Sequence, residues 1–129
     1  MTTLRRATPD IPIVAEEELC NGLLPGEIGD SFYLVDPLDE TREFIDQNGD
    51  FTVNIALIER SVPVLGVVYA PARRLLFSGG PGGAEETIVD GDCGIVARRR
   101  IFCRQAPKWM IAVASRSHRT PETDVYLQN

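Results

Sequence analysis

The 129-residue chain, at 14.2 kDa, has room for one domain and not comfortably for two. With 43% hydrophobic, 25% charged and 7% aromatic residues it has the make-up of a globular protein, which excludes disorder, collagen and coiled coil. Its 13 Lys and Arg against 19 Asp and Glu leave a net charge of −6, which argues against duplex nucleic acid as a partner. Small anions stay open, because a bound cation inverts the local sign.

Lys108 is the only lysine, so the basic residues are almost all arginine. Cys20, Cys93 and Cys103 are odd in number and form no CxxC, which suits a reducing cytoplasm better than a disulfide framework or a zinc site. Arg5 and Arg6 are followed by Pro9, Asp10 and Pro12 rather than an apolar run, so no signal peptide is expected. No window approaches the length of a membrane-spanning helix.

Residues 1–10 are too short and polar to predict a helix of their own. Ile11 to Ala15 reads as a buried strand that stops at Glu16-Glu17-Glu18. Residues 20–30 hold Gly22, Pro25, Gly26 and Gly29, a loop by composition. Phe32 to Val35 is a second strand, expected to stop at Asp36-Pro37 because proline cannot donate to a sheet ladder. Thr41 to Asp46 can form a short helix with Thr41 near its N-cap, and Asn48-Gly49-Asp50 signals a turn. Phe51 to Glu59 and Val62 to Ala70 predict a tight antiparallel hairpin across Arg60-Ser61. Leu75 to Ser78, Glu86 to Val89, Ile95 to Val96 and Trp109 to Ala114 read as further short strands. A helix is expected from Pro121 to Gln128. The fold class is therefore α+β, mainly an antiparallel sheet with a few short helices.

The chemistry-bearing segment is Val35-Asp36-Pro37-Leu38-Asp39-Glu40-Thr41. A strand there delivers two carboxylates three positions apart across a proline turn. Both acids and the Leu38 carbonyl can converge outside the strand end, a donor set suited to a hard cation such as Mg²⁺. Glu16, at the end of another strand, can add a further oxygen. On spacing alone, Asp-Pro and Asp-Glu-Thr are equally ordinary turn and cap residues.

Asp36-Pro37-Leu38-Asp39-x-Thr41 after an apolar strand resembles the metal-binding signature of the inositol monophosphatase superfamily. The wider chain looks closer to one branch, the bacterial 3'(2'),5'-bisphosphate nucleotidases of sulfate assimilation. The likeness runs through Thr8 to Glu17, Phe44-Ile45, Asn48-Gly49, Phe51 to Ile58, Pro63 to Pro71 and Ser115-Arg116-Ser117-His118. It implies a Mg²⁺-dependent phosphomonoesterase that hydrolyses 3'-phosphoadenosine 5'-phosphate to AMP and phosphate with a metal-activated water. It further implies that Glu16, Asp36, the Leu38 carbonyl and Asp39 bind metal, with Asp36 bridging two ions. Thr41 would orient the attacking water, making Thr41 and Asp36 the catalytic pair. Backbone amides of Glu40 and Thr41 would cradle phosphate. Substrate-side contacts would come from Glu16, Leu38, Asp39, Glu40 and Thr41 and from Ser115, Arg116 and His118. The implied fold is the N-terminal half of the layered inositol monophosphatase-like architecture, with residues 1–129 a single incomplete domain. The implied setting is cytoplasmic, extending to peripheral attachment at the cytoplasmic face of the inner membrane, with a small phosphorylated nucleotide as partner. The oligomeric state is not implied.

Three departures from the family stand out. Glutamate replaces the family's glycine at Glu40, adding a side chain and negative charge beside the phosphate site. Family members begin with two helices carrying an aspartate that acts with the threonine, and end with a half carrying a metal-binding Trp-Asp motif. Neither is found here, and Trp109 is the only tryptophan, so the chain reads as the middle of a longer enzyme. Elsewhere the bland readings hold. Glu17 and Glu18 are solvated acids, Arg98-Arg99-Arg100 is a solvated strand edge, and Gly79 to Gly83 is a hairpin tip without the Lys-Ser/Thr of a phosphate loop. Ser115 to His118 is either a serine-capped helix start or a substrate-side loop. The alternatives are an inositol monophosphatase-like phosphatase, or an inactive metal- or phosphate-binding fragment.

Overall fold

A computed structural model describes residues 2–16, 18, 28–39, 49, 51–109, 111–114 and 120–128. They form one seven-stranded sheet whose spatial order follows the chain, β1 to β7. The strands are β1 (Ile13–Ala15), β2 (Ser31–Asp39), β3 (Thr52–Glu59), β4 (Val62–Ala70), β5 (Leu75–Gly80), β6 (Gly83–Val89) and β7 (Ile95–Ile101). β1 joins β2 in parallel, and every later pair is antiparallel. The expected α+β class with a dominant antiparallel sheet is what the chain adopts.

Turn chemistry explains the meander. Arg60 and Ser61 both take left-handed backbone angles (φ 48° and 65°), the twist that a two-residue hairpin between β3 and β4 requires. A single turn of 3-10 helix (Pro71–Arg73) links β4 to β5, closed by Arg74 in the left-handed region with its N–H donated to the Pro71 carbonyl. Pro81-Gly82 forms the tip between β5 and β6, within the glycine run read as a turn. Gly49 sits at φ 78° with open space for a Cβ blocked by Ala72, at 3.2 Å.

Four expectations are corrected. A helix α1 (Thr2–Ala7) does form: Arg5 and Arg6 lie in its last turn, where cations suit the dipole, and Thr8 closes it through its N–H and hydroxyl on the Leu4 carbonyl. β2 does not stop at Pro37 but runs to Asp39, because a bulge absorbs the missing donor. β7 runs five residues beyond Val96, through the three arginines. Arg99 donates twice to Glu86 (2.8 and 3.1 Å) and Arg98 lies 3.6 Å from Glu85, so cross-strand pairing carries the strand onward. The strand read from Trp109 to Ala114 is absent among its described residues: no neighbouring strand lies alongside to pair with it. The helix α2 (Pro121–Gln128) is present, with proline at its first position and the Thr120 hydroxyl accepting from the Thr123 N–H.

Among the described residues the buried ones are Ile13, Val14, Ala15, Val35, Thr87 and Val89. Val35, Thr87 and Val89 project to one side of the sheet. Leu34, Val68 and Ile88 project to the other and remain 42%, 41% and 42% exposed. No helix among the described residues is long and apolar enough to cross a membrane.

Candidate metal and phosphate site

The site is assembled by two register choices. β1 and β2 run parallel with Ala15 opposite Val35, so β1 ends before Glu16 alongside the point where β2 reaches Asp36. Neighbouring strands lie about 4.8 Å apart, so the two acids each follow one of a pair of adjacent backbone positions. Like charges so close repel unless a cation lies between them.

The second choice is the bulge. Asp36 pairs with Asn54 and Asp39 with Thr52, so Pro37 and Leu38 together face the single residue Val53. Proline fits here because a bulged residue owes the ladder no hydrogen bond. The Leu38 N–H, turned out of the ladder, donates to Asp36 Oδ1 at 3.1 Å. One carboxylate oxygen thus fixes the bulge, and this bond makes no use of the other. Hard-oxygen donors on a constrained backbone are what Mg²⁺ or a similar ion takes. The donor chemistry fits a divalent cation.

Glu16 is exposed, while Asp36 and Leu38 are half-buried. Asp39 ends β2, and its side chain lies outside the described residues, as do Glu40, Thr41, Ser115, Arg116 and His118. Among the described residues no three acids, histidines or cysteines gather into a metal-holding group. Glu18, next but one to Glu16, lies 3.7 Å from Arg5. It is thereby tied to α1 rather than to the strand ends.

Reading the residues alone missed Thr52 and Asn54, the two polar residues that open β3 across from Asp39 and Asp36. The available signal was their alternation: polar side chains at two positions of an otherwise apolar strand, on one face.

The Inositol monophosphatase family pattern matches residues 1–124. The 3'(2'),5'-bisphosphate nucleotidase CysQ of Escherichia coli is 44% identical over 128 residues, covering 99% of this chain and 49% of that protein. A crystal structure of CysQ from Bacteroides thetaiotaomicron, a bacterial member of the inositol monophosphatase family, superposes with a TM-score of 0.70 at 37% identity. That match covers 92% of this chain and 47% of the solved one. An inositol monophosphatase from Anabaena superposes with a TM-score of 0.57 at 37% identity, over 64% of this chain and 32% of its own. The chain spans about half the length of the curated relatives it matches.

Proposed function

Because the chain belongs to the inositol monophosphatase family, we propose that it carries the strand-borne part of the active site of a Mg²⁺-dependent 3'(2'),5'-bisphosphate nucleotidase. The observation that carries the reading is the parallel register of Ala15 with Val35, which sets the end of β1, just before Glu16, alongside Asp36 and the bulge that follows it. Kinship to CysQ enzymes supports a nucleoside bisphosphate as substrate and 3'-phosphoadenosine 5'-phosphate as the molecule to test.

In this reading Glu16, Asp36, the Leu38 carbonyl and Asp39 hold metal. When bound, the divalent ions supply charge neutralisation at the phosphoryl group and a water acidic enough to attack it. The chain's own residues set the geometry. Asp36 spends one oxygen on the Leu38 N–H and so holds the bulge, presenting its other oxygen and the Leu38 carbonyl from one rigid corner. Thr41 orients the water, and the Glu40 and Thr41 amides take the phosphate. Ser115, Arg116 and His118 serve the nucleotide side. Residues 1–129 act as part of a larger catalytic domain. The exposed free Cys93 and Cys103 support a reducing, cytoplasmic setting. Peripheral attachment to the inner membrane is carried by family kinship alone.

The test is phosphate release from 3'-phosphoadenosine 5'-phosphate at millimolar Mg²⁺, with inositol 1-phosphate in parallel. Preference for the nucleotide supports the reading, and preference for the inositol ester replaces it with the sibling activity. A polypeptide of these 129 residues alone should turn over far below the roughly 10 s⁻¹ of ordinary enzymes, because metals, water and phosphate must be positioned together. Glu40→Gly alone should not restore full rate.

A further inference from the structure

Strand β3 reads Thr-Val-Asn-Ile-Ala-Leu-Ile-Glu, and between its two ends Asn54 is the one polar residue. Asparagine is a poor strand former, so an apolar strand that keeps one gives up stability for it. Asn54 is half-buried and its Oδ1 is shut off from solvent, so solubility does not account for an amide there.

Its place in the register does. Asn54 stands directly opposite Asp36, and such partners in an antiparallel pair share a face with Cβ atoms about 4.5–5.5 Å apart. A gap of that size is one that an amide and a carboxylate can span with a single hydrogen bond. Beyond Asn54 the same rung continues through Val68, Phe77 and Glu86 to Arg99. Arg99, the rung's one cation, is roughly 24 Å from Asp36 by strand spacing and is taken by Glu86. Along its rung Asp36 therefore meets an amide first and no cation within reach. The Leu38 N–H holds Asp36 Oδ1 at 3.1 Å, but the last torsion of an aspartate is broad, and one bond does not fix the carboxylate plane. A second donor fixes it.

We propose that Asn54 is a positioning residue for Asp36: when a divalent cation binds, the Asn54 side-chain N–H donates to the carboxylate oxygen that the Leu38 bond does not use. The inference rests on the reading of Asp36 as a metal ligand and adds a residue to it. Each carboxylate oxygen has two lone pairs, so this bond leaves one directed at the cation. A lysine or arginine at the same position would hold the carboxylate too, but its charge would repel the ion, whereas a neutral amide donates without that cost. Groups that hydrogen-bond a metal-binding carboxylate typically set affinity by about 10–100-fold.

The experiment is calorimetry with Mg²⁺ alone on the full 129-residue chain, comparing the native protein with Asn54→Val and Asn54→Thr. The two replacements have nearly one shape, and only threonine keeps a donor. Valine should weaken Mg²⁺ binding about tenfold or more and threonine clearly less. Neither should lower the urea midpoint, because both suit a strand better than asparagine. In the native chain the Asn54 side-chain N–H signals should shift in NMR spectra as Mg²⁺ is added. Equal affinity in the native and valine chains overturns the proposal and leaves the metal site standing. So does an equal loss in both variants, or a loss that follows a lower urea midpoint. A native chain that takes up no Mg²⁺, or one whose affinity survives Asp36→Asn, overturns the proposal together with the metal-site reading beneath it.

Discussion

Asp36 does two jobs that can be separated by substitution. Its Oδ1 accepts the Leu38 N–H at 3.1 Å in a half-buried bulge, and its charge follows Val35, the register partner of the Ala15 that precedes Glu16. Asp36→Asn keeps an acceptor for that N–H but removes the charge. Losing the charge-assisted part of the bond costs about 0.5–1 kcal/mol, and relief of repulsion from Glu16, taken at the roughly 5 Å of adjacent strands, returns a similar amount in water. The Asn variant should therefore match the native chain within about 0.5 kcal/mol. Asp36→Ala leaves the Leu38 N–H unpartnered and should lose about 1–2 kcal/mol. Urea unfolding followed by circular dichroism measures both, since Trp109 is already 78% exposed and reports little. Mg²⁺ then separates the roles. At ten times its dissociation constant it should stabilise the native chain by about 1.4 kcal/mol and neither variant at all. Stabilisation of the Asn variant by Mg²⁺ would remove Asp36 from the metal set, and equal stability of the two variants would remove it from the bulge.

Two further outcomes follow from the fold. Gly49→Ala forces a side chain to φ 78° and against Ala72 at 3.2 Å, and should destabilise by about 1 kcal/mol or more in the same urea assay. An unchanged midpoint would show that this turn relaxes freely. Glu86 has its carboxyl held below the ordinary glutamate range, first by its hydrogen bond from Arg99 and then by that residue's charge. The stabilisation it lends is therefore complete above the unfolded glutamate value and lost as pH falls through the lower folded one. A carbon NMR titration should find Glu86 ionising below its peers and returning to the ordinary range in Arg99→Ala; no movement in that variant contradicts the pairing.

Local pattern was enough for the β3–β4 hairpin, whose alternating apolar runs and two-residue turn leave one pairing to choose. It failed wherever a partner decides. Pro37 looked like the end of β2 because its missing N–H is visible in the residues, whereas the bulge that excuses it depends on Val53 across the sheet. The arginines read as a solvated strand edge, which they are; that β7 runs on through them depends on Glu85 and Glu86, which pair with them from thirteen positions away. Trp109 to Ala114 has the composition of a strand and no neighbour to make it one. At the candidate site, the acids were legible as types and spacings. The register that sets β1's end alongside Asp36 was not, because a parallel pairing is invisible until both strands are in place.

The lone parallel pair also fixes an order of assembly. From β2 onward each strand joins the one before it across a turn of at most about a dozen residues, so the meander closes through short loops. β1 is different: residues 16–30 separate it from β2, and its three residues bring few ladder bonds to offset that closure. The meander is therefore expected to fold first and β1 to arrive last. Since Glu16 follows β1 and Asp36 lies on β2, the two acids are brought toward one another only in that final step. A divalent ion present during refolding should accordingly hasten the last phase and leave the earlier ones untouched.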